Sequence, residues 1–490
     1  MENLRGRTIS GLFWNLLERV GIRIVQFLPT IILARLLSPE QFGLIGMLTL
    51  FVALAQTFLD SGFGVALIQK KDATYTDECS IFYFNILLGG FSVLILFFAA
   101  PLIANFYRQP ILAGLLRWLS LDILIESFSL IQITLLTREL DFKTQLKANL
   151  SATFIGGIFG VAAAYYGLGV WSLVIQTIAN TALQTLILWW LHRWRPGLVF
   201  SLASLKSMFG FGSRMLSSSL VSVFFDNLYQ VFIGKVFSAA PLGYYTRASS
   251  LRTIVIDTTS NTLGRVMFPA LASIQDDQER LKQAYRKSIR FTTFAHFPIM
   301  AGLIVTAKPL ITLLFSEKWG ESVLFFQLMC AAGLLYPLHL LNLNILKVKG
   351  RSDLFFRLEL IKRVLVVLTI IITYRWGINA MLIGQIAFTL FVYGLNSFYS
   401  GMLIGYPTKA QILDVMPSLA FSCLMAGGMF FAGYILRSSN FFVQIAIQAL
   451  VGAGSYFALH ALAKSESLAE IVNLIRQLLV SNLRLRNAMK

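Results

Sequence analysis

The chain has 490 residues, 57% of them hydrophobic and only 13% charged, with a formal net charge of +18. A charged share about half that of an ordinary globular domain, with uncharged runs long enough to cross a bilayer, excludes a soluble enzyme and points to an all-α polytopic membrane protein. The cation excess would suit nucleic acid, but its placement in short loops assigns it to membrane topology instead.

Apolar runs and turn signals predict about fourteen transmembrane helices, at 9–35, 42–64, 79–105, 111–135, 145–166, 170–191, 208–235, 242–268, 289–315, 322–345, 354–374, 378–404, 412–436 and 440–462. MENLRGR leads directly into the first run with no small-residue cleavage site, so a retained helix is expected there and not a signal peptide. That helix, LLERVGIRIVQFLPTIILARLL (16–37), holds Glu18, Arg19 and Arg23. Span 2 ends near Asp60, and span 4 contains Arg117, Asp122 and Glu126, whose functional or structural role the sequence leaves open. Spans 5 and 6 share 44 uncharged positions (148–191) hinged at YYGLG (165–169). GGIFG (156–160) and FGLIG (42–46) read as close helix crossings. Span 7 carries Arg214 and Asp226, and span 8 carries Arg247, Arg252, Asp257 and Arg265. Spans 1, 7 and 8 are expected to score poorly on hydropathy alone. The last stretch, SLAEIVNLIRQLLVSNLRLR, reads as an amphipathic helix on the inner membrane surface.

Loop cations number 24 on the side of the N-terminus and 7 on the other. The positive-inside rule then places both termini in the cytoplasm, as an even span count requires. The chain also repeats: LARLLSPEQFGLI (33–45) aligns with IGKVFSAAPLGYY (233–245), setting Gly43 on Gly243, and AAPLI (99–103) aligns with AKPLI (307–311). Two pseudo-symmetric six-helix lobes are expected, 1–206 and 207–405. Spans 13–14 follow at 406–462 and the amphipathic segment at 463–490.

No P-loop, HExxH or paired metal motif is present, and Cys79, Cys330 and Cys423 are scattered. No cofactor, metal or catalytic residue is expected. What remains is charge inside spans, which concentrates on spans 1, 2, 7 and 8, and such charge faces a bundle interior or an aqueous cavity. At 1.5 Å per residue Arg23 and Arg252 fall near mid-membrane, Arg247 nearer the outer mouth, and Arg19 shares a face with Arg23. Arginine keeps its charge when desolvated, and its planar fork matches phosphate oxygens, so an anionic, phosphorylated substrate is expected. The competing reading pairs these arginines with Asp60, Asp226 or Asp257 to lock the two halves.

Several stretches carry a family resemblance: FLDSGFGVALIQKKD (58–72), TRELDFK (137–143), GLGVWSLVIQ (167–176), APLGYYTRASSL (240–251), LGRVMFPALASIQDDQERLKQAYRK (263–287) and KPLITLLFSEKW (308–319). The chain resembles the polysaccharide transporter family of the MOP superfamily, the Wzx-type flippases, closest to the exopolysaccharide and colanic-acid branch. The resemblance implies a two-lobed protein of the bacterial inner membrane. It would flip undecaprenyl-diphosphate-linked oligosaccharides by alternating access, with membrane lipids, a polysaccharide polymerase and chain-length proteins as partners. The related lipid II flippase has cavity arginines on its first, second and eighth helices. Arg19 and Arg23 here match the first and Arg247 and Arg252 the eighth, while span 2 has no arginine. The expected substrate residues are therefore Arg19, Arg23, Arg247 and Arg252. Glu18, Asp60, Asp226 and Asp257 are expected to serve coupling, by H+ or Na+, or to latch the lobes. Rival readings are a MATE-like multidrug or metabolite exporter, a membrane glycosyltransferase or polymerase, and a non-transporting scaffold.

Overall fold

The computed structural model describes residues 25, 27–60, 62–466, 468 and 469, with the backbone alone over 257–266. Every regular element among them is helical, the expected solution where lipid offers backbone groups no hydrogen bonds. Two compact units divide the chain, 1–246 and 247–490.

The first unit contains α1 (Phe27–Leu36), α2 (Pro39–Asp60), α3 (Phe63–Gln69), α4 (Tyr75–Tyr107), α5 (Ile111–Ser127), α6 (Leu130–Arg138), α7 (Phe142–Tyr165), α8 (Trp171–Leu191), α9 (Leu202–Asp226) and α10 (Leu228–Val236). It also holds the start of α11 (Ala239–Ala272). The second unit contains the rest of α11, then α12 (Gln278–Phe315), α13 (Glu321–Gly333), α14 (Tyr336–Val348), α15 (Ser352–Thr373), α16 (Gly377–Ile404), α17 (Thr408–Ile435) and α18 (Phe441–Leu462).

Helix ends follow local chemistry. Thr74 and Asp77 form a reciprocal capping box at the start of α4, and Asp141, Ser201 and Asp277 accept backbone N–H groups at the starts of α7, α9 and α12. Gly405 closes α16 in the left-handed conformation at φ 66°. On α4, Leu87, Phe91, Leu94 and Phe98 recur at helical spacing and are all exposed, a stripe suited to lipid.

Nine helical runs among the described residues are long and apolar enough to cross a membrane, ten if the bent pair α5 and α6 is one span. The expected fourteen is therefore not reached by length and composition. Most of the first expected span lies outside the described residues. α11 and α15 miss the criterion because of their charges, Arg247, Arg252, Asp257 and Arg265 on one, Arg357, Glu359, Lys362 and Arg363 on the other. α9 passes, so its two charges do not spoil it as expected.

Small residues place the closest crossings. A Cβ built on Gly43 of α2 would stand 1.7 Å from the Ala239 carbonyl oxygen, and one on Gly243 would stand 1.8 Å from the Pro39 oxygen. The two glycines that align in the sequence repeat thus make reciprocal contacts at the starts of α2 and α11. The GGIFG stretch behaves as expected: Cβ atoms on Gly156, Gly157 and Gly160 would meet Asn180, Pro29 and Gln176 at 2.9, 2.4 and 2.7 Å. In the second unit Tyr285, Ile289, Phe297, Leu338, Leu341 and Ile345 form a buried core.

Candidate substrate-binding site

Arg252 stands about 20 Å from the start of a helix about 50 Å long, so it occupies the middle of α11. Its guanidinium Nε is buried and has no hydrogen-bond partner, and Arg252 makes no ion pair with any described residue. It lies close enough to the buried Cys330 of α13 to act on it electrostatically. One turn further along α11, Ile256 packs where a Gly333 side chain would stand, 3.0 Å away, and the Gly333 carbonyl meets His296 Nε2 at 3.2 Å. A guanidinium offers five N–H donors in a planar fork that matches carboxylate and phosphate oxygens. The chemistry it offers is recognition of an anion. Arg247, half-buried and five residues earlier, stands on the same helix.

The other expected residues fall differently. Glu18, Arg19 and Arg23 lie outside the described residues, as do the side chains of Asp257 and Arg265. Asp226 is the last residue of α9 and is exposed. Arg214 is exposed, and its Nε donates to the Gly210 carbonyl of its own helix at 2.8 Å. That contact ties Arg214 to backbone and not to an acid.

Asp60 ends α2, where the chain breaks at Gly62 (φ 73°) and resumes as α3. There it meets the charges that sequence reading left unassigned. Glu126 of α5 interacts with both Asp60 and Asp122 and is hydrogen-bonded to Gln56 of α2. Asp122, 2% exposed, is hydrogen-bonded to Thr181 of α8. Arg117, the third charge of that span, turns away, its Cζ 4.5 Å above the Phe97 ring. Helical spacing of Asp122 and Glu126 was a readable signal, but that α2 brings Asp60 to them was not. The charges of α15 were also passed over. Lys362 pairs there with Glu359, while Arg357 is exposed beside the exposed Phe356 and Leu360.

Among the described residues the site is a mid-helix arginine without an acid on an all-helical fold, the arrangement of a membrane protein that meets an anion and not of a catalytic centre. The match to known proteins makes the class specific: residues 32–324 fit the family described as "Polysaccharide biosynthesis protein", and the chain belongs to that family of transporters. It is 29% identical over 372 residues to the lipopolysaccharide biosynthesis protein WzxC of Escherichia coli K12, covering 76% of each chain. It is 27% identical over 473 residues to the teichuronic acid biosynthesis protein TuaB of Bacillus subtilis 168, covering 94% of this chain and 96% of that one. Among solved structures the fold matches the lipid II flippase MurJ in an inward closed conformation, with a TM-score of 0.73 at 15% identity over 92% of this chain and 98% of the other. An inward-facing multidrug MATE transporter of the MOP superfamily matches with a TM-score of 0.61 at 16% identity, over 77% and 95%.

Proposed function

We propose that the protein flips undecaprenyl-diphosphate-linked oligosaccharide repeat units across the bacterial inner membrane by alternating access. The Nε of Arg252, buried and without a hydrogen-bond partner, carries this reading: among the described residues no acid pairs with this mid-helix cation, and an anionic substrate would answer it. The lipid-linked diphosphate is the anion that polysaccharide export provides. Arg252 and Arg23 grip it, with Arg247 and Arg19 in support, and the polyprenyl tail stays in lipid. The fourteen-span arrangement, the lobes at 1–206 and 207–405, spans 13–14 at 406–462 and cytoplasmic termini belong to the same proposal. So do contacts with a polymerase and chain-length proteins. The similarity to WzxC and TuaB supports a surface-polysaccharide substrate over a drug. A MATE-like exporter of organic cations would leave Arg252 facing a like charge.

The test is flipping of a fluorescent undecaprenyl-diphosphate glycan by the purified protein in liposomes. Flipping that depends on Arg252 is expected. Protein that binds organic cations and ignores the lipid diphosphate would overturn the reading and favour the exporter. Absence of flipping by protein that still binds the lipid would favour a scaffold.

A further inference from the structure

The first unit contains a cluster opposite in sign to Arg252. Asp122 and Glu126 lie one turn apart on the same face of α5. Asp122 is almost wholly buried, and its Oδ1 meets no hydrogen-bond partner; neither does the buried Oε2 of Glu126. Their remaining polar contacts are neutral, the Thr181 hydroxyl from α8 and the Gln56 amide from α2. A third carboxylate, Asp60, also acts on Glu126 electrostatically.

Among the described residues no cation answers them. The helices packed most extensively on α5 are α2, α4 and α8. α8 has no charged residue between Trp171 and Leu191. α4 carries only Asp77 and Glu78, both in its first turn, where Lys70 and Arg138 pair with them. α2 carries Glu40 in its first turn and Asp60 at its end. On α5 itself Arg117 is taken up by Phe97. Two carboxylates one turn apart in an apolar wall repel. A proton on the pair removes the repulsion and satisfies an oxygen that has no donor. A metal ion suits the site poorly, since hard cations take about six or more oxygens. Among the described residues no group of three or more His, Cys, Asp or Glu side chains is placed to hold one.

The position adds a mechanical consequence. Glu126 stands at the break between α5 and α6, which meet at a 40° bend, and Asp60 stands at the break between α2 and α3. Charge on this cluster therefore acts where two spans are already interrupted.

We propose that Asp122 and Glu126 form a proton-holding pair that exchanges with water through the exposed Asp60, and that its loading and unloading energises transport. Loading takes one proton from water onto a carboxylate and unloading returns it; no bond other than O–H forms or breaks. The last step, from proton site to driven transport, rests on the flippase reading, whereas the proton site does not.

Two measurements on the full-length protein test this. In infrared titration near neutral pH, a protonated-carboxyl band is expected in the unaltered protein and is expected to be lost in Asp122→Asn/Glu126→Gln. An unchanged band in the double variant overturns the site. In liposomes, an imposed pH gradient is expected to accelerate flipping of the labelled lipid by the unaltered protein and not by Glu126→Gln, with lipid binding retained. A Glu126→Gln variant that answers the gradient as the unaltered protein does overturns the coupling, as does acceleration by a sodium gradient alone. If Glu126→Gln does not fold, Glu126→Asp keeps the carboxyl and is expected to keep both the band and the gradient response; loss of both there counts against the proposal. An infrared band present in protein that flips no lipid leaves the proton site standing and removes the flippase reading.

Discussion

Asp414 in the second unit and Asp122 in the first are both nearly excluded from solvent, and the fold treats them in opposite ways. Asp414 receives Arg286 through two hydrogen bonds of 2.6 and 2.9 Å, Arg290 at 3.0 and 2.5 Å, and the Tyr406 hydroxyl at 2.5 Å. Arg290 also reaches Glu466, just beyond α18. These contacts join α12, α17 and the segment after α18, and no carboxylate oxygen of Asp414 is left over. Asp122 has one neutral donor and a like charge a turn away, and Arg252 pairs with no acid among the described residues. The chain thus has the means to pair buried charge in full, and it does so where helices must be held together. Where charge is left unpaired inside a span, the proposed partner is one that arrives and leaves.

The largest expected effect tests the unpaired side. Arg252→Ala is expected to reduce flipping to background while the yield of folded protein and its melting temperature stay unchanged, as read by the liposome assay and by thermal unfolding in detergent. Arg252→Lys is expected to restore only part of the rate, because an ammonium lacks the two-pronged match to phosphate oxygens. Normal flipping by Arg252→Ala would break the comparison at its main point. Full rescue by lysine would reduce the arginine to a point charge.

Next in size is a change that touches no charge. Gly43→Ala places a methyl group 1.7 Å from a backbone oxygen, which cannot rotate aside, and is expected to cost about 3 kcal/mol, the upper end for overpacking. Gly243→Ala should behave alike, because its contact with Pro39 is the reciprocal one. Gly90→Ala, where a Cβ meets nothing within 4 Å, is the matching control. Detergent melting curves of the three variants separate these outcomes; equal stability of all three would remove the close crossing.

These glycines also show what was legible in the sequence. The repeat sets Gly43 on Gly243 by alignment alone, and the structure turns that match into a physical contact. Family, helical class and the location of charge on span 8 were equally readable, because composition and motif are local properties. The carboxylate cluster was not. Asp60 and Glu126 are separated by 66 positions, and depth along a helix says nothing about which neighbour a face meets. The Asp414 clasp escaped notice for the same reason: Arg286 and Arg290 read as loop cations satisfying the positive-inside rule, while their acid lies on α17. The span count is not confirmed by length and composition; α11 and α15 carry ionisable groups, which lower the hydropathy by which spans are recognised.

On the paired side, Asp414→Ala is expected to destabilise the second unit by about 2 kcal/mol, less than the 3–5 kcal/mol typical of a fully buried pair because Arg286 is half-exposed. Flipping by the surviving folded protein should remain near normal. Thermal unfolding and transport measured on the same preparation distinguish this from Arg252→Ala, which reverses the two readouts. If Asp414→Ala instead leaves melting unchanged and stops transport, the clasp moves during the cycle and pairing no longer marks a structural role.

The smallest expected effect separates geometry from burial. Arg351 grips Asp353 through two hydrogen bonds of 2.9 and 2.8 Å, a fork as well formed as the one Arg286 makes with Asp414. The Arg351 guanidinium holds the Asp353 carboxyl below the ordinary carboxylate range. A carboxyl so shifted adds stability above its unfolded value and loses it as the pH falls, so any contribution would show as acid sensitivity. Both side chains are close to half-exposed, however, and water and salt screen the pair on every open side. Arg351→Ala and Asp353→Ala are therefore expected to leave the melting temperature unchanged at neutral pH and to leave its dependence on acid and on salt unaltered. A loss comparable to that of Asp414→Ala would mean that hydrogen-bond geometry, and not exclusion of solvent, decides which paired charges hold this protein together. The contrast between Asp414 and Asp122 would then have to be argued from donor count alone.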